Sequence, residues 1–269
     1  MEEPVYIYVV GTAGSGKSRF TWALKRWMYE QGHEALVVNL DPGAEGLPYE
    51  PDVDIRDWIQ LPQVMEEYEL GPNGAQIMAA DLLALRGPEL KGIIDSFRPN
   101  YVILDTPGQI ELFVFREAGK ILMDFISPAD RTLMAFVVDP FLSKTPSAFV
   151  SQLLLASTTQ FRFQVPMINV MSKRDVLKGE DMERILGWAE AGDQLEDALY
   201  SHNPTRYNPA LYNQLNTDVF RALQTMAPYT ALTPVSSATL EGMEDVYARV
   251  QELFAGGEDL EKSRTKEEF

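Results

Sequence analysis

Short, almost wholly apolar runs alternate along this chain with stretches in which apolar residues return every three or four positions. Val5–Val10, Ala35–Leu40, Tyr101–Asp105, Leu133–Asp139 and Val165–Val170 are such runs, and Thr230–Val235 is a shorter one. Continuous apolar runs of this length, bounded by glycine and polar residues, predict strands buried on both faces, as in a parallel sheet. Between them, Phe20, Ala23, Leu24, Trp27 and Met28 share one helical face, and Gly32 closes that helix. After a loop over 46–56, a short helix is predicted from Pro62 to Glu69. A longer one carries Ile77, Leu82, Leu83, Leu85, Leu90, Ile93, Ile94 and Phe97, bent or broken at Gly87-Pro88. Further helices are expected over Ile110–Met123, Ala148–Leu155 and Glu241–Phe254. Strands alternating with helices give an α/β fold, a doubly wound, mainly parallel sheet with helices on both faces.

Residues 179–227 depart from this rhythm. They are helical and polar, with breaks expected at Gly187, Gly192, Pro204 and Pro209, and read as an α-helical insertion without chemistry of its own. Tyr200, Tyr207, Tyr212, Leu215, Val219, Phe220 and Leu223 would pack a helical layer there or, partly exposed, form a partner surface. Residues 1–255 are expected to form a single domain, with 256–269 a charged, frayed tail.

The loops after the strands carry the candidate chemistry. Gly11-Thr12-Ala13-Gly14-Ser15-Gly16-Lys17-Ser18 joins the first strand to the first helix and fits G-x-x-x-x-G-K-S in the context that pattern requires. Its glycines allow a tight turn whose N–H groups converge on an anion, and the helix start adds a positive dipole end. Lys17 is placed for the β- and γ-phosphates, and the Ser18 hydroxyl for Mg²⁺. Asp41 follows the second strand on the ligand-binding rim of such a sheet, where it either assists Mg²⁺ or a water or makes an ordinary Asp-Pro turn. Gly71-Pro72-Asn73-Gly74 reads locally as a helix stop and a new start, with Asn73 able to cap.

Asp105, at the end of a buried strand, would hold Mg²⁺ from the side opposite Ser18. Gly108 offers a backbone N–H to a γ-phosphate, and Gln109 is placed to orient water. Ser172-Lys173-Arg174-Asp175 is similar to the N-K-x-D base-reading motif of GTPases, with Ser in the first position. An Asp there accepts a ring N–H and an exocyclic N–H of guanine together, a pair adenine does not offer. The Lys173 stem would cover the base. Ser236-Ser237-Ala238-Thr239 follows in the right order to bring a backbone N–H to the guanine carbonyl.

Composition narrows the partners. The formal net charge of −17 disfavours binding to bulk nucleic acid or an anionic membrane. With no cysteine there are no disulfides or thiolate metal sites, and His33 and His202 alone do not make an imidazole zinc cluster. Mg²⁺ needs only oxygen ligands. Met1-Glu2-Glu3-Pro4 lacks the character of a signal peptide, and no apolar run is long enough to span a bilayer, so a soluble cytoplasmic protein is expected.

Taken in this order, the phosphate loop, Asp41, Gly71-Pro72-Asn73, Asp105-Thr106-Pro107-Gly108-Gln109, Ser172–Asp175 and Ser237-Ala238 resemble the GPN-loop GTPases from Val5 to about Leu253. The resemblance implies Mg²⁺-dependent hydrolysis of GTP to GDP and phosphate. It also implies a homodimer in which the GPN loop enters the partner's site, beside the terminal phosphate and the attacking water. Lys17 and Ser18 would then bind phosphate and Mg²⁺, Asp41 and Gln109 would place the water, and Asn73 would act from the other subunit, with Asp105 supporting Mg²⁺. Glu111 lies in the family's P-G-Q-x-E extension, where it would support this arrangement without a chemical role of its own; no arginine finger is evident, Arg19 and Arg116 being candidates by proximity in sequence only. Ser172 stands where GTPases generally have Asn, which bears on the tie from this loop back to the phosphate loop. In eukaryotes the family is associated with RNA polymerase assembly, so protein clients of that kind, with hydrolysis resetting a nucleotide-switched scaffold, complement the enzymatic reading. An ATP-dependent P-loop kinase shares the phosphate loop but leaves Asp175 and Ala238 unexplained. A nickel-delivery GTPase lacks its Cys and His.

Overall fold

The strand β1 (Val5–Val10) sets the architecture, because it is buried on both faces. Val5, Ile7 and Val9 enter one core, while Tyr6, Tyr8 and Val10 enter the other. The computed structural model describes residues 3–177, 179–190, 192–201, 209–224 and 231–254. After β1 come α1 (Lys17–Glu30), β2 (Ala35–Asn39), β3 (Val53–Asp54), α2 (Leu61–Glu67), α3 (Pro72–Leu85), α4 (Gly87–Phe97) and β4 (Tyr101–Asp105). The chain continues through α5 (Ile110–Phe113), α6 (Glu117–Ile126), β5 (Thr132–Val138), α7 (Pro146–Phe163) and β6 (Met167–Met171). It closes with α8 (Gly179–Glu190), α9 (Gly192–Ser201), α10 (Pro209–Gln224), β7 (Leu232–Pro234) and α11 (Met243–Phe254).

The strands form a 7-stranded sheet in the order β3-β2-β4-β1-β5-β6-β7, and every pairing is parallel. From β1 the chain skips one position to β2, moves out to β3, and returns to insert β4 between β2 and β1. It then crosses to the other side of β1 for β5. That reversal opens a crevice at the carboxyl ends of β1 and β4, where ligands bind in sheets of this kind. On one face, α1 contributes Phe20, Ala23, Leu24 and Met28, and α11 contributes Met243, Val246, Tyr247 and Val250. On the other face, Ala79, Leu83, Leu90, Ile94, Leu122, Met123, Ala156 and Phe163 cover the sheet from α3, α4, α6 and α7. The sheet is thus doubly wound, as the alternation of runs predicts.

Several elements differ from expectation. The stretch from Ile110 to Met123 is two helices, with Val114, Phe115 and Arg116 between them. A Cβ on Gly119 would lie 2.0 Å from the Phe113 carbonyl oxygen, so only glycine lets α6 fold back this tightly on α5. The two-residue β3, at the sheet edge, falls within the region read as a loop; it is too short to show a period. The helix α7 is longer than expected at both ends, with Thr145 capping its start by accepting from Ala148 N at 3.3 Å. Gly187 lies inside α8 and does not break it. Asn73 does not cap: Gly71 precedes α3, Pro72 opens it, and no side chain caps the first turn. Proline at the first helical position has no N–H to leave unpaired.

The insertion packs on α7. Ile185, Trp188, Leu195, Leu199 and Phe220 are buried against Phe149, Val150 and Leu153, with Val219 partly buried beside them. Tyr200 and Leu215 are exposed. His202, Pro204, Tyr207, Thr230, the tail from Gly256, and the side chains of Tyr212 and Leu223 lie outside the described residues. No helix among the described residues is long and apolar enough to cross a membrane.

Candidate functional site

The loop after β1 is shaped by glycine. Gly11, Gly14 and Gly16 have φ of 151°, 75° and 103°, backbone conformations that side-chain-bearing residues rarely adopt. A Cβ on Gly11 would also sit 2.7 Å from the Val137 carbonyl oxygen of β5. The loop wraps the Lys17 ammonium, which donates to the carbonyls of Gly11 at 3.0 Å, Thr12 at 3.1 Å and Gly108 at 3.2 Å. Burial pushes the Lys17 pKa down, and the carboxylates of Asp105 and Asp41 oppose that shift. The buried hydroxyl oxygens of Thr12 and Ser15 have no hydrogen-bond partner among the described residues.

Asp105 ends β4, in register with Val9 on one side and Asn39 on the other. It is 1% exposed, and burial raises its pKa to about 6 against the opposing Ser18, Tyr49 and Lys17. The Tyr49 hydroxyl donates to Asp105 Oδ2 at 2.7 Å, whereas the buried Oδ1 has no hydrogen-bond partner among the described residues. An orphaned carboxylate oxygen close to a serine hydroxyl is a hard-oxygen donor set, and it fits Mg²⁺.

Asp41 is held from two sides. Oδ1 accepts from Gly43 N and Oδ2 from Gly108 N, each at 2.8 Å. The Gly108 N–H read as a phosphate donor is therefore turned to Asp41, which links the loops after β2 and β4. Asn39, which sequence reading left as the end of a strand, fixes the first loop. Its Oδ1 accepts from Asp41 N at 3.0 Å, and its Nδ2 donates to Asp41 O at 3.2 Å and Asp54 Oδ1 at 2.9 Å. Gln109 is exposed just before α5.

The base-reading candidates meet at one cavity of ≈ 370 Å³, whose lining includes Gly16, Ser172, Lys173, Asp175, Ser237 and Ala238. Ser172 is buried, and its Oγ donates to the Ser15 carbonyl at 2.6 Å, so serine does make the tie back to the phosphate loop. Lys173 Nζ donates to Gly14 O at 2.9 Å and pairs with Asp139 at 2.7 Å, an anchor the sequence reading missed. Ser236, offered by the sequence only as part of its loop, has a side-chain role that its spacing does not show. Its Oγ donates to Asp175 Oδ1 at 2.8 Å and accepts from the N–H groups of Ala238 and Thr239 at 3.2 Å and 3.1 Å, binding the two base-reading loops together.

Gly71, Pro72 and Asn73 are exposed at the start of α3. One turn on, the Gln76 amide nitrogen lies 3.6 Å from where a Cβ on Gly43 would be, so this helix start stands beside the Asp41 loop. Arg116 is engaged elsewhere: it binds both oxygens of Asp81 on α3, at 2.9 Å and 2.7 Å.

A family model described as "Conserved hypothetical ATP binding protein" matches residues 9–256. The chain is 31% identical over 264 residues to GPN-loop GTPase 1 of Schizosaccharomyces pombe, covering 93% of this chain and 70% of that protein. It is also 31% identical over 256 residues to a GPN-loop GTPase of Pyrococcus abyssi, covering 94% and 99% of the two. This chain belongs to the GPN-loop GTPase family. The solved apo structure of a GTPase from Pyrococcus abyssi superposes with a TM-score of 0.79 at 30% identity, covering 93% of this chain and 97% of that one. That likeness extends over nearly the whole chain. Against GPN-loop GTPase 1 of Dictyostelium discoideum, 32% identical, the chain spans only 51% of the relative's length.

Proposed function

We propose that this chain hydrolyses GTP to GDP and phosphate with Mg²⁺ bound. The observation that carries the reading is the base cavity. Asp175 stands at its edge, braced by Ser236, and its inner wall is tied to the phosphate loop through Ser172. A carboxylate there accepts two guanine N–H groups, whereas adenine offers no such pair and leaves the acceptor unpaired. This favours guanine over the ATP named in the family model's description and over a kinase.

The residues divide the work by position. The backbone of Gly11 to Gly16 cradles the phosphates, and Lys17 neutralises charge growing on the β–γ bridge. Ser18 and Asp105 would hold Mg²⁺, which would supply positive charge against the charge developing on the phosphate oxygens. Asp41 and Gln109 orient the water, whose oxygen bonds to the γ-phosphorus as the bond to the GDP oxygen breaks. The water's proton ends on phosphate. Lys173 covers the base, and the Ser237 backbone N–H is offered to its carbonyl, since the Ala238 N–H is turned to Ser236 Oγ.

The active form is a homodimer in which Asn73 of each GPN loop completes the partner's site. Exposed Ile77 and Leu85 on α3, the helix that opens with that loop, and Ile121 and Phe125 on α6, which packs against α3, support an apolar meeting face. The cycle drives assembly of a protein complex in the cytoplasm, with RNA polymerase subunits the client class, and residues 1–255 act as one domain. Calorimetry with Mg²⁺ tests the root of this. GTP binds at least tenfold tighter than ATP, and Asp175→Asn removes that preference by weakening GTP alone. Equal affinity for the two nucleotides in the parent protein overturns the reading.

A further inference from the structure

Asp105 has one anchored oxygen and one orphan, and the anchor comes from a loop far away in sequence. We propose that Tyr49 is a positioning residue for the Mg²⁺ side of the site: its hydroxyl fixes Asp105 Oδ2, so that Oδ1 is held ready for the metal. The inference rests on the Mg²⁺–nucleotide reading above.

The backbone of Asp105 is already fixed, paired on both sides within the sheet by β1 and β2. What remains free is rotation of the carboxylate, and a 2.7 Å bond to one oxygen removes it. The tyrosine is itself well placed to hold. Arg56 Nη1 donates to Ala44 O at 2.8 Å, tying down the loop before it. Just after it, Asp52 Oδ2 accepts from Val37 N at 2.7 Å and Lys25 Nζ at 2.6 Å. Pro48 and Pro51 flank it and narrow the backbone's choices. Its ring packs against the core beneath α1 together with Trp22.

The same loop also touches the nucleoside end. Pro48 lines the base cavity, while Tyr49 lines a separate groove with Trp22, Lys25 and His33. Adjacent residues of one loop therefore meet the base cavity and the metal-side carboxylate. Partners in this outer position keep a metal-binding carboxylate oriented, and their loss typically weakens metal binding by ten- to a hundredfold.

Mg²⁺ titrated by calorimetry into the protein–GDP complex separates the possibilities, with GDP affinity in EDTA and circular dichroism measured alongside. Tyr49→Phe keeps the ring and removes only the hydroxyl. It is expected to bind Mg²⁺ about tenfold more weakly, with GDP affinity in EDTA within about twofold of the parent. Mg²⁺ affinity equal to the parent's overturns the inference even if the melting temperature falls, because the hydroxyl then merely satisfies a buried carboxylate. A Tyr49→Phe protein that is misfolded or cannot bind GDP in EDTA overturns it too, since Tyr49 would be holding the whole site. A parent that binds no guanine nucleotide fails the underlying reading instead, before any variant is compared.

Discussion

Ser172 shows how much one short side chain can carry. Its hydroxyl crosses 157 positions of sequence to reach the Ser15 carbonyl, inside the protein. Ser172→Ala leaves that carbonyl without its donor, at a cost of about 1–2 kcal/mol. For a chain of this size that is a fall of roughly 2–8 °C in melting temperature. GTP should also bind more weakly, and an unchanged melting curve would remove the tie. Asp105 gives a pH signature of the opposite kind. Its pKa is raised by burial from 3.8 to about 6, so between those values the folded protein keeps a proton that the unfolded chain has lost. Folding stability therefore falls as pH rises through this window. In EDTA, Asp105→Asn escapes that fall, so its stability relative to the parent should climb between about pH 4 and 6, reaching on the order of 3 kcal/mol. Denaturant melts at the two ends of the window measure the change, and parallel profiles would show that Asp105 does not titrate there. Lys17, Ser18, Asp105 and Asp175 were legible in the sequence as candidates, because residue type and local spacing suffice to mark them. Asn39, Tyr49 and Ser236 were not, because each acts through a partner or in a turn that has no pattern of its own. Tyr49 and its carboxylate are 56 positions apart.

At the scale of elements, the two-helix break after Gln109 matters more than its length suggests. Gln109 precedes α5, Gly119 lets α6 close on α5, and Arg116, at the start of α6, grips Asp81 of α3. A shift at Gly108 and Gln109 therefore has a short mechanical route to the helix that begins with the GPN loop. The Arg116–Asp81 pair is a third or more exposed on each side, so on stability Arg116→Ala should cost under about 1 kcal/mol. On turnover it should cost about fivefold, the rate equivalent of ~1 kcal/mol in the barrier. Single-turnover kinetics beside a thermal melt separate the two effects; a variant as fast as the parent would sever this route. The apolar runs made the order of strands and helices readable, but not this elbow. Leu112, Phe113, Ile121 and Leu122 fit one continuous helix, and nothing in their spacing marks the close approach of Gly119 to the Phe113 carbonyl.

At the scale of the whole molecule, a chain of net charge −17 meets its copy against electrostatic repulsion. Association must then come from apolar surface, and exposed Ile77 and Leu85 on the helix that opens with the GPN loop, with Ile121 and Phe125 on α6, supply candidates. If that loop works only in trans, two differently damaged chains should repair each other. Lys17→Ala loses its own phosphate site but still offers an intact Asn73. Asn73→Ala keeps its own Lys17 but offers the partner nothing. Each homodimer is inactive, yet a mixed dimer contains one site with both residues present and one with neither. Equimolar mixing with free exchange makes half the dimers mixed, so turnover should recover to about a quarter of the parent's, as two-fold symmetry dictates. Recovery of that size, absent when the two variants are assayed apart, is the result that a GPN loop acting within its own subunit cannot produce.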